Sequence, residues 1–353
     1  MNFPIFKTKS DTYKRFDLTD AKARKEYFEY KVGAELQKLR DYLQHNTFII
    51  YLLGKKNTGK GTYSKMFKEI VASNKVEHVS VGDLMRSFDA ILKDPEKKQE
   101  LVKFLQKKYR GPMPLEDVIK AMEERSTKTL LPSELILALV EKEITRLGKK
   151  AIFIDGFPRD VDQVSYSLFF KNLIDYRNDP DIFVLIDVPT SVIDERIKYR
   201  LICPACQTSR NLKLLATKRV EYDAKENKFY LLCDNPSCTG PRMVTKEGDE
   251  LGIEPIRERL EKDGKLMEQV YNMHGIQKIL LRNSIPVEKV GENYDDYEIT
   301  PEYHYAFDEK TGKVAVQEKP WEVKDEEGVV SNSLMPPPVV VSLIKQLVKV
   351  LGL

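Results

Sequence analysis

The 353-residue chain lacks any run of about 18 apolar residues, so nothing in it reads as a membrane-spanning helix. Its last apolar stretch, Val339–Leu353, is short and interrupted by Lys345 and Lys349. No charge of one sign dominates. The 58 basic residues against 55 acidic ones leave a net charge of +3, which carries no overall nucleic-acid footprint. The first twenty residues are polar and have no secretory apolar segment. These absences set the expectation of a cytoplasmic protein with no nucleic acid and no membrane among its partners. Repeats are absent, and so is low-complexity sequence apart from Pro336–Pro338. Cysteine is scarce: there are four, all between residues 203 and 238.

What is present suits a folded chain. Hydrophobic residues make up 41% and charged residues 32%, above the usual ~25%. The length corresponds to roughly two domains of ~150 residues. Residues 19–44 carry an apolar stripe, Phe28, Val32, Leu36, Leu39 and Leu43, at helical spacing, which predicts a helix packed on the body. Thr47–Leu53, Ala151–Asp155, Ile182–Asp187 and, more weakly, Ile285–Val290 are short apolar runs suited to buried strands. Helical patterns alternate with them at Lys60–Ala72, Ser133–Leu147, Asp160–Leu173, Ser191–Arg200 and Glu254–Met273. Buried strands alternating with helices predict an α/β protein with a parallel sheet. Ser87–Leu130 and Tyr294–Met335 interrupt the alternation and read as insertions. The second holds a hairpin pattern with its turn at Thr311-Gly312.

The first apolar run leads into Gly54-Lys55-Lys56-Asn57-Thr58-Gly59-Lys60-Gly61-Thr62, which opens a helical pattern. Two glycines five apart followed by lysine match the start of a phosphate-binding loop. Backbone N–H groups at a helix N-terminus converge on phosphate oxygens, and the lysine adds a cation. The hydroxyl stands one place late, at Thr62. The Gly-Lys-Gly-Thr ending resembles the adenylate kinases, and the nucleoside monophosphate kinases in general. Lys56 stands where that family has proline, and Asn57 where it has glycine. Asn tolerates positive φ better than most residues, so the turn can survive.

Further motifs follow in the family's order. Ser80-Val81-Gly82-Asp83-Leu84-Met85-Arg86 resembles its Ser-Thr-Gly-Asp-Leu-Leu-Arg, and Leu131-Pro132-Ser133-Glu134-Leu135 its Val-Pro-Asp-Glu-Leu. Asp155-Gly156-Phe157-Pro158-Arg159, with Gln163 four residues on, matches Asp-Gly-Phe-Pro-Arg-x-x-x-Gln. Arg86 and Arg159 offer guanidinium forks suited to a phosphate dianion. Asp155 ends a buried strand, where a carboxylate can organise Mg²⁺ and its waters. Gln163 offers the donor and acceptor that an adenine edge requires. Val81 replaces the usual threonine and points toward pyrimidine acceptors, so CMP or UMP remains an alternative to AMP.

Arg196 and Arg200 fall four apart, on one face of the predicted helix. Arg259 resembles the arginine at the far end of the family's lid. The family's remaining lid arginine has two candidate replacements, Arg242 and Lys246. Between these arginines lie Cys203-x₂-Cys206 and Cys233-x₄-Cys238, a pattern that reads as a structural four-thiolate Zn²⁺ site. Two disulfides or a redox Cys-x-x-Cys are the alternatives, the former rare in the cytosol.

The resemblance implies a P-loop kinase: a central parallel sheet flanked by helices, a helical NMP-binding lobe and a small β zinc-ribbon lid. It also implies an enzyme transferring a phosphoryl group reversibly from Mg-ATP to AMP, acting as a monomer. Residues 1–46 would be a helical extension. Residues 47–81, 151–200 and 254–353 would form the core, with a hairpin region inserted at 294–337. Residues 82–150 would form the acceptor lobe, with an insertion at 87–130, and residues 201–253 the lid. ATP would meet Gly54, Asn57, Thr58, Gly59, Lys60, Gly61, Thr62, Arg196 and Arg200. AMP would meet Val81, Gly82, Arg86, Gly156, Arg159, Gln163 and Arg259. Lys60, Asp155, Arg159, Arg196, Arg200 and Arg259 would carry the chemistry. The rival readings are a nucleotide-dependent nucleic-acid-binding or regulatory protein, and an inactive relative serving in assembly.

Overall fold

The computed structural model describes residues 1–123, 132–159 and 179–353, and only the backbone of Arg86, Asp89 and Ala90. At its centre, β1 (Ile49–Leu53), β3 (Ala151–Asp155) and β4 (Asp181–Asp187) run parallel. All five residues of β1 are buried, because helices cover both faces of the sheet. β2 (Val76–Ser80) and β10 (Gln277–Arg282) complete it, in the order β10-β4-β1-β3-β2. Both added strands lie at edges. Burial alternates along β10, and β2 buries only Val76 and Val79, so neither presents a continuous apolar run.

That alternation explains one correction. Ile285–Val290 is not a core strand. Ser284–Pro286 forms the short β11, antiparallel to β15 (Val330–Ser333), and α9 (Val287–Asn293) follows at once. The parallel strand lies earlier, at β10. The helix expected over Asp160–Leu173 falls outside the described residues.

α1 (Ala21–His45) begins where the Asp20 carboxylate accepts from the amides of Lys22 and Ala23, both at 2.9 Å. Its whole stripe, from Phe28 to Leu43, is buried in the same apolar cluster as α2 (Lys60–Val71) and α10 (Pro336–Val350). A buried ionic group ties this extension down. Lys31 lies 2.7 Å from Asp295 and 3.7 Å from Glu298, with each side chain at most 3% exposed. Glu298 also accepts from Thr8, at 2.7 Å, and from Tyr27. Charges so buried persist only when paired and hydrogen-bonded.

α3 (Val81–Leu92), α4 (Pro95–Lys108), α5 (Leu115–Glu123) and α6 (Ser133–Leu147) gather around a core of their own that includes Leu101, Leu105, Val118 and Leu139. Residues from the 87–130 segment supply much of it, so this lobe is built by the insertion and not merely decorated by it. After α7 (Thr190–Lys198), a small β region follows: β5 (Arg200–Ile202), β6 (Ser209–Asn211) and β9 (Val244–Thr245) in one sheet, β7 (Val220–Asp223) and β8 (Lys228–Leu231) in another.

The inserted hairpin, β12 (Pro301–Asp308) and β13 (Lys313–Pro320), reaches from the core to this β region. Its base is closed by the Trp321 amide donating to the Thr300 carbonyl at 3.0 Å. Farther out, the Tyr303 amide donates to the Lys213 carbonyl at 2.8 Å and the Tyr305 hydroxyl to that of Leu212. Phe307 stacks on Tyr222 with ring centroids 4.5 Å apart, and Tyr305 lies against Phe229 at 5.5 Å. On their other side β7 and β8 contribute Val220 and the buried Leu231 to the small cluster around the cysteines, and their remaining residues are half-buried or exposed. Replacing residues 302–319 with a two-glycine link should leave the core's thermal transition nearly unchanged. Amide exchange in β7 and β8 should rise at least about tenfold, as expected when a local opening loses its packing. Unchanged exchange there would show that the hairpin does not brace this β region.

Candidate active site

The loop between β1 and α2 is shaped by three backbone demands. Gly54 comes so close to its neighbours that a Cβ would sit 2.9 Å from the Ile186 carbonyl oxygen. Asn57 takes φ 66°, the left-handed conformation that its side chain tolerates, so the missing glycine leaves the turn intact. Gly59, at φ 97°, caps α2 and lies under the Tyr63 ring. The Lys60 ammonium curls into the loop, donating to the carbonyls of Gly54 at 2.8 Å and Lys55 at 3.0 Å. It stands 3.9 Å from an Asp155 carboxylate oxygen, at the C-terminal end of β3. Burial lowers the Lys60 pKa, and Asp155 opposes that. Thr58 is buried, its hydroxyl donating to the Lys55 carbonyl, whereas Thr62 is exposed at the start of α2.

Lys60, Asp155, Gly156, Arg159 and Arg259 line one recess with Gly54. Arg159 donates from Nε to the Gly156 carbonyl at 2.8 Å. Its pKa is lowered by burial and then by the nearby charge of Arg259. Arg259 lies in the first turn of α8 (Arg257–Asn272) and is itself exposed. Asp263, one turn further on, also lines the recess. Burial raises its pKa, while Lys60, Arg259 and Arg159 pull it back. No motif marks Asp263; only the helical spacing from Arg259 hints at it.

Lys56 adds to the same gathering of charge. Its pKa is lowered by burial first, then by Arg259, Lys246 and Arg200. This separates the two lid candidates. Lys246 shares the field of Lys56, whereas Arg242 is engaged elsewhere, pairing with Asp223 and Glu226 at 3.0 Å each and lying over the Tyr230 ring.

Arg196 and Arg200 do not share a helical face. α7 ends at Lys198, and Arg200 opens β5. The i, i+4 argument fails because the chain turns at Tyr199 and leaves the helix there. Arg200 is held by a two-pronged pair with Asp249, both contacts 2.6 Å. Arg196 points back toward the loop, with Nη1 3.5 Å from the Asn57 carbonyl.

On the acceptor side, Val81 is buried at the start of α3, capped by Ser80, whose hydroxyl accepts from the Asp83 amide at 3.2 Å. Gly82 follows in the same first turn. Gly156 takes φ 86° where a Cβ would lie 3.6 Å from that of Val81, so loop and helix meet closely. Arg86 lies on α3, but its side chain is outside the described ones, and Gln163 lies outside the described residues altogether.

The four cysteine sulfurs lie within 4.8 Å of one another, Cys203 3.7 Å from Cys238 and Cys206 3.6 Å from Cys233. None is in a disulfide. A tetrahedron with metal–sulfur bonds of ~2.3 Å has edges of about 3.8 Å, so these spacings suit a single ion. The Thr208 hydroxyl and amide pull the Cys206 thiol down to about 6. The Cys206 amide and the Asn235 side-chain amide point at sulfur, at 3.5 and 3.6 Å, as outer partners of a metal–thiolate site do.

No protein-family model matches the chain. It is 31% identical over 211 residues to the adenylate kinase of Clostridium novyi (strain NT), covering 60% of this chain and 78% of that one. To the adenylate kinase of Kosmotoga olearia it is 29% identical over 249 residues, 69% of this chain and 95% of the relative. For that of Thermotoga maritima the figures are 30% over 235 residues, 65% and 87%. The chain belongs to the adenylate kinase family. It is thus a phosphotransferase-type kinase. Lys60→Ala removes the charge that the loop encloses. The variant should bind Mg-ATP roughly 100-fold more weakly, the loss expected for two charge-assisted hydrogen bonds. Its thermal midpoint should stay close to that of the unaltered chain. Calorimetric titration together with a melting curve tests both, and near-normal binding would remove Lys60 from the site.

Proposed function

We propose that the chain catalyses reversible phosphoryl transfer from Mg-ATP to AMP, giving two ADP. The observation that carries this reading is the convergence of Lys60, Arg159 and Arg259 on one recess beside Asp155, at the C-terminal ends of β1 and β3. Open α/β sheets bind ligands at that edge. The cations there crowd one another and need an anion. Among the described residues that line the recess there is no serine, threonine, cysteine or histidine, and Asp155 and Lys60 face each other at 3.9 Å, which suits transfer by positioning and charge neutralisation.

In this reading the 54–62 loop cradles the ATP phosphates through its amides, with Lys60 releasing its own loop carbonyls to meet them. Arg196 and Arg200 serve the donor nucleotide. Arg159 and Arg86 hold the acceptor phosphate in line, Arg259 bridges the two, and Lys246 takes the place of the absent lid arginine. Asp155 positions the hydrated Mg²⁺ that enters with ATP and offsets its phosphate charge. Val81, Gly82 and Gly156 line the acceptor's approach, with Gln163 reading the base. The buried Val81 keeps a pyrimidine acceptor as the second reading. AMP is favoured because the curated relatives are adenylate kinases.

Cys203, Cys206, Cys233 and Cys238 would hold a structural Zn²⁺, which supplies folding energy to a lobe whose core is little more than Leu201, Leu231 and Met243. One zinc per chain is expected by elemental analysis. Stripping it with a chelator should lower the melting temperature of the lid and raise its proteolysis, and metal-free protein with an unchanged lid would sink the assignment.

The function is tested by incubating the protein with Mg-ATP and AMP, CMP, UMP or GMP, and following diphosphates by chromatography. ADP formation dependent on AMP is expected. A preference for CMP or UMP would reverse the base assignment. ATP hydrolysis indifferent to every acceptor would defeat the proposal.

A further inference from the structure

The segment between β10 and α10 separates two parts of the chain that meet again at one buried side chain. Asn283 follows β10 directly and is fully buried. Its amide makes four hydrogen bonds, the full complement its carbonyl oxygen and NH₂ group allow. Its Oδ1 accepts from Arg196 Nη2 at 2.9 Å and from the Ser333 hydroxyl at 2.8 Å. Its Nδ2 donates to the Tyr63 hydroxyl at 3.0 Å and to the Leu334 carbonyl at 2.9 Å. Tyr63 is the residue whose ring lies against Gly59 of the phosphate loop. Four elements are therefore joined at one amide: the loop helix α2, the arginine helix α7, the end of β10 and the returning strand β15.

The same segment grips α7 a second time. That helix starts at Pro189 with no side-chain cap of its own. Glu326, from the turn between β14 (Glu322–Lys324) and β15, accepts from the Thr190 amide at 2.7 Å and its hydroxyl at 2.8 Å. Glu326 also lies 3.4 Å from the Lys55 ammonium in the phosphate loop.

From these contacts we infer that Asn283 is a positioning residue for the donor nucleotide: it fixes the plane of the Arg196 guanidinium relative to the phosphate loop, with Ser333 orienting its oxygen. Sequence alone gives Arg196 a role but no means of holding it. Arg196 carries a long side chain whose pKa is lowered by burial, and among the described residues its guanidinium donates to a carbonyl, an amide oxygen and a hydroxyl, not to a carboxylate. A neutral amide holds the guanidinium without cancelling its charge, leaving that charge for the ligand. A carboxylate in that place would hold it as firmly and neutralise it. The 283–334 segment is in this sense part of the donor site. The inference rests on the proposed use of ATP as phosphoryl donor.

The test is a double-mutant cycle on Mg-ATP binding, read by titration calorimetry, with Michaelis constants for ATP and AMP measured alongside. Asn283→Ala should weaken Mg-ATP binding about tenfold, the scale of one charge-assisted hydrogen bond. The Michaelis constant for AMP should stay within about twofold, well below the ~tenfold step of a lost charged contact. In an Arg196→Ala background the same change should cost less than about twofold, since the residue it acts through is gone. A tenfold loss that persists without Arg196, or equal losses for ATP and AMP, would overturn the inference in favour of a general structural role. Ser333→Ala, a smaller change at the same node, should show the same dependence on Arg196 at roughly threefold. It keeps the cycle readable if Asn283→Ala does not fold, and additivity there would equally overturn the inference. Wild-type protein that binds Mg-ATP yet phosphorylates no AMP would fail the acceptor assignment and leave this inference standing. Wild-type protein that does not bind Mg-ATP would overturn both.

Discussion

Crowding of like charge is the constraint around which this molecule is arranged. Lys56, Lys60, Arg159, Arg200, Lys246 and Arg259 share one field, and several titrate low through burial and mutual repulsion. A folded chain reaches such a state only if something else holds the cations in place. Here the holding is done by short-range neutral or balanced contacts. Lys60 rests on loop carbonyls, Arg159 on the Gly156 carbonyl, Arg196 on a buried amide and Arg200 on Asp249. Most of these contacts leave the charge uncancelled. The resulting field is preorganised for an oligophosphate, which is the economical way to stabilise charge that develops during transfer.

The parts of this arrangement that depend on local rules were readable in the chain. The glycine spacing around Lys60, the positive φ required at Asn57, and the buried runs of β1, β3 and β4 follow from backbone sterics and burial on both faces. So does the hairpin turning at Thr311-Gly312, whose strands run over Pro301–Asp308 and Lys313–Pro320. What escaped was set by tertiary context. β10 is an edge strand with alternating burial, so its sequence shows no stronger apolar signal than the run at Ile285 that follows it. Arg200 looked helical because the periodicity continues past the point where the chain turns. Asn283 and Asp263 belong to no pattern at all; their significance comes from neighbours far away in sequence.

The additions to the family's common length divide by what they touch. α1 is bound to the rest by apolar burial and by the enclosed Lys31–Asp295–Glu298 group, so it belongs to the core it covers. The 87–130 segment supplies much of a separate apolar centre among α3, α4, α5 and α6. The 283–334 segment reaches both the phosphate loop, through Lys55, and the β region that carries the cysteines. It is thus in contact with the loop proposed to hold the donor's phosphates and with the β region proposed to cover them.

The closed neck of the hairpin has a consequence for how such a chain can change over generations. Thr300 and Trp321 are joined by a single backbone hydrogen bond of 3.0 Å, so the chain departs and returns at one point. Whatever lies beyond that neck leaves the register of the core strands untouched. An excursion of any length can be gained, trimmed or exchanged there in one step without refitting the catalytic framework. The neck is a natural grafting point, where the hairpin is free to diversify while the sheet and the loop at its strand ends stay as they were.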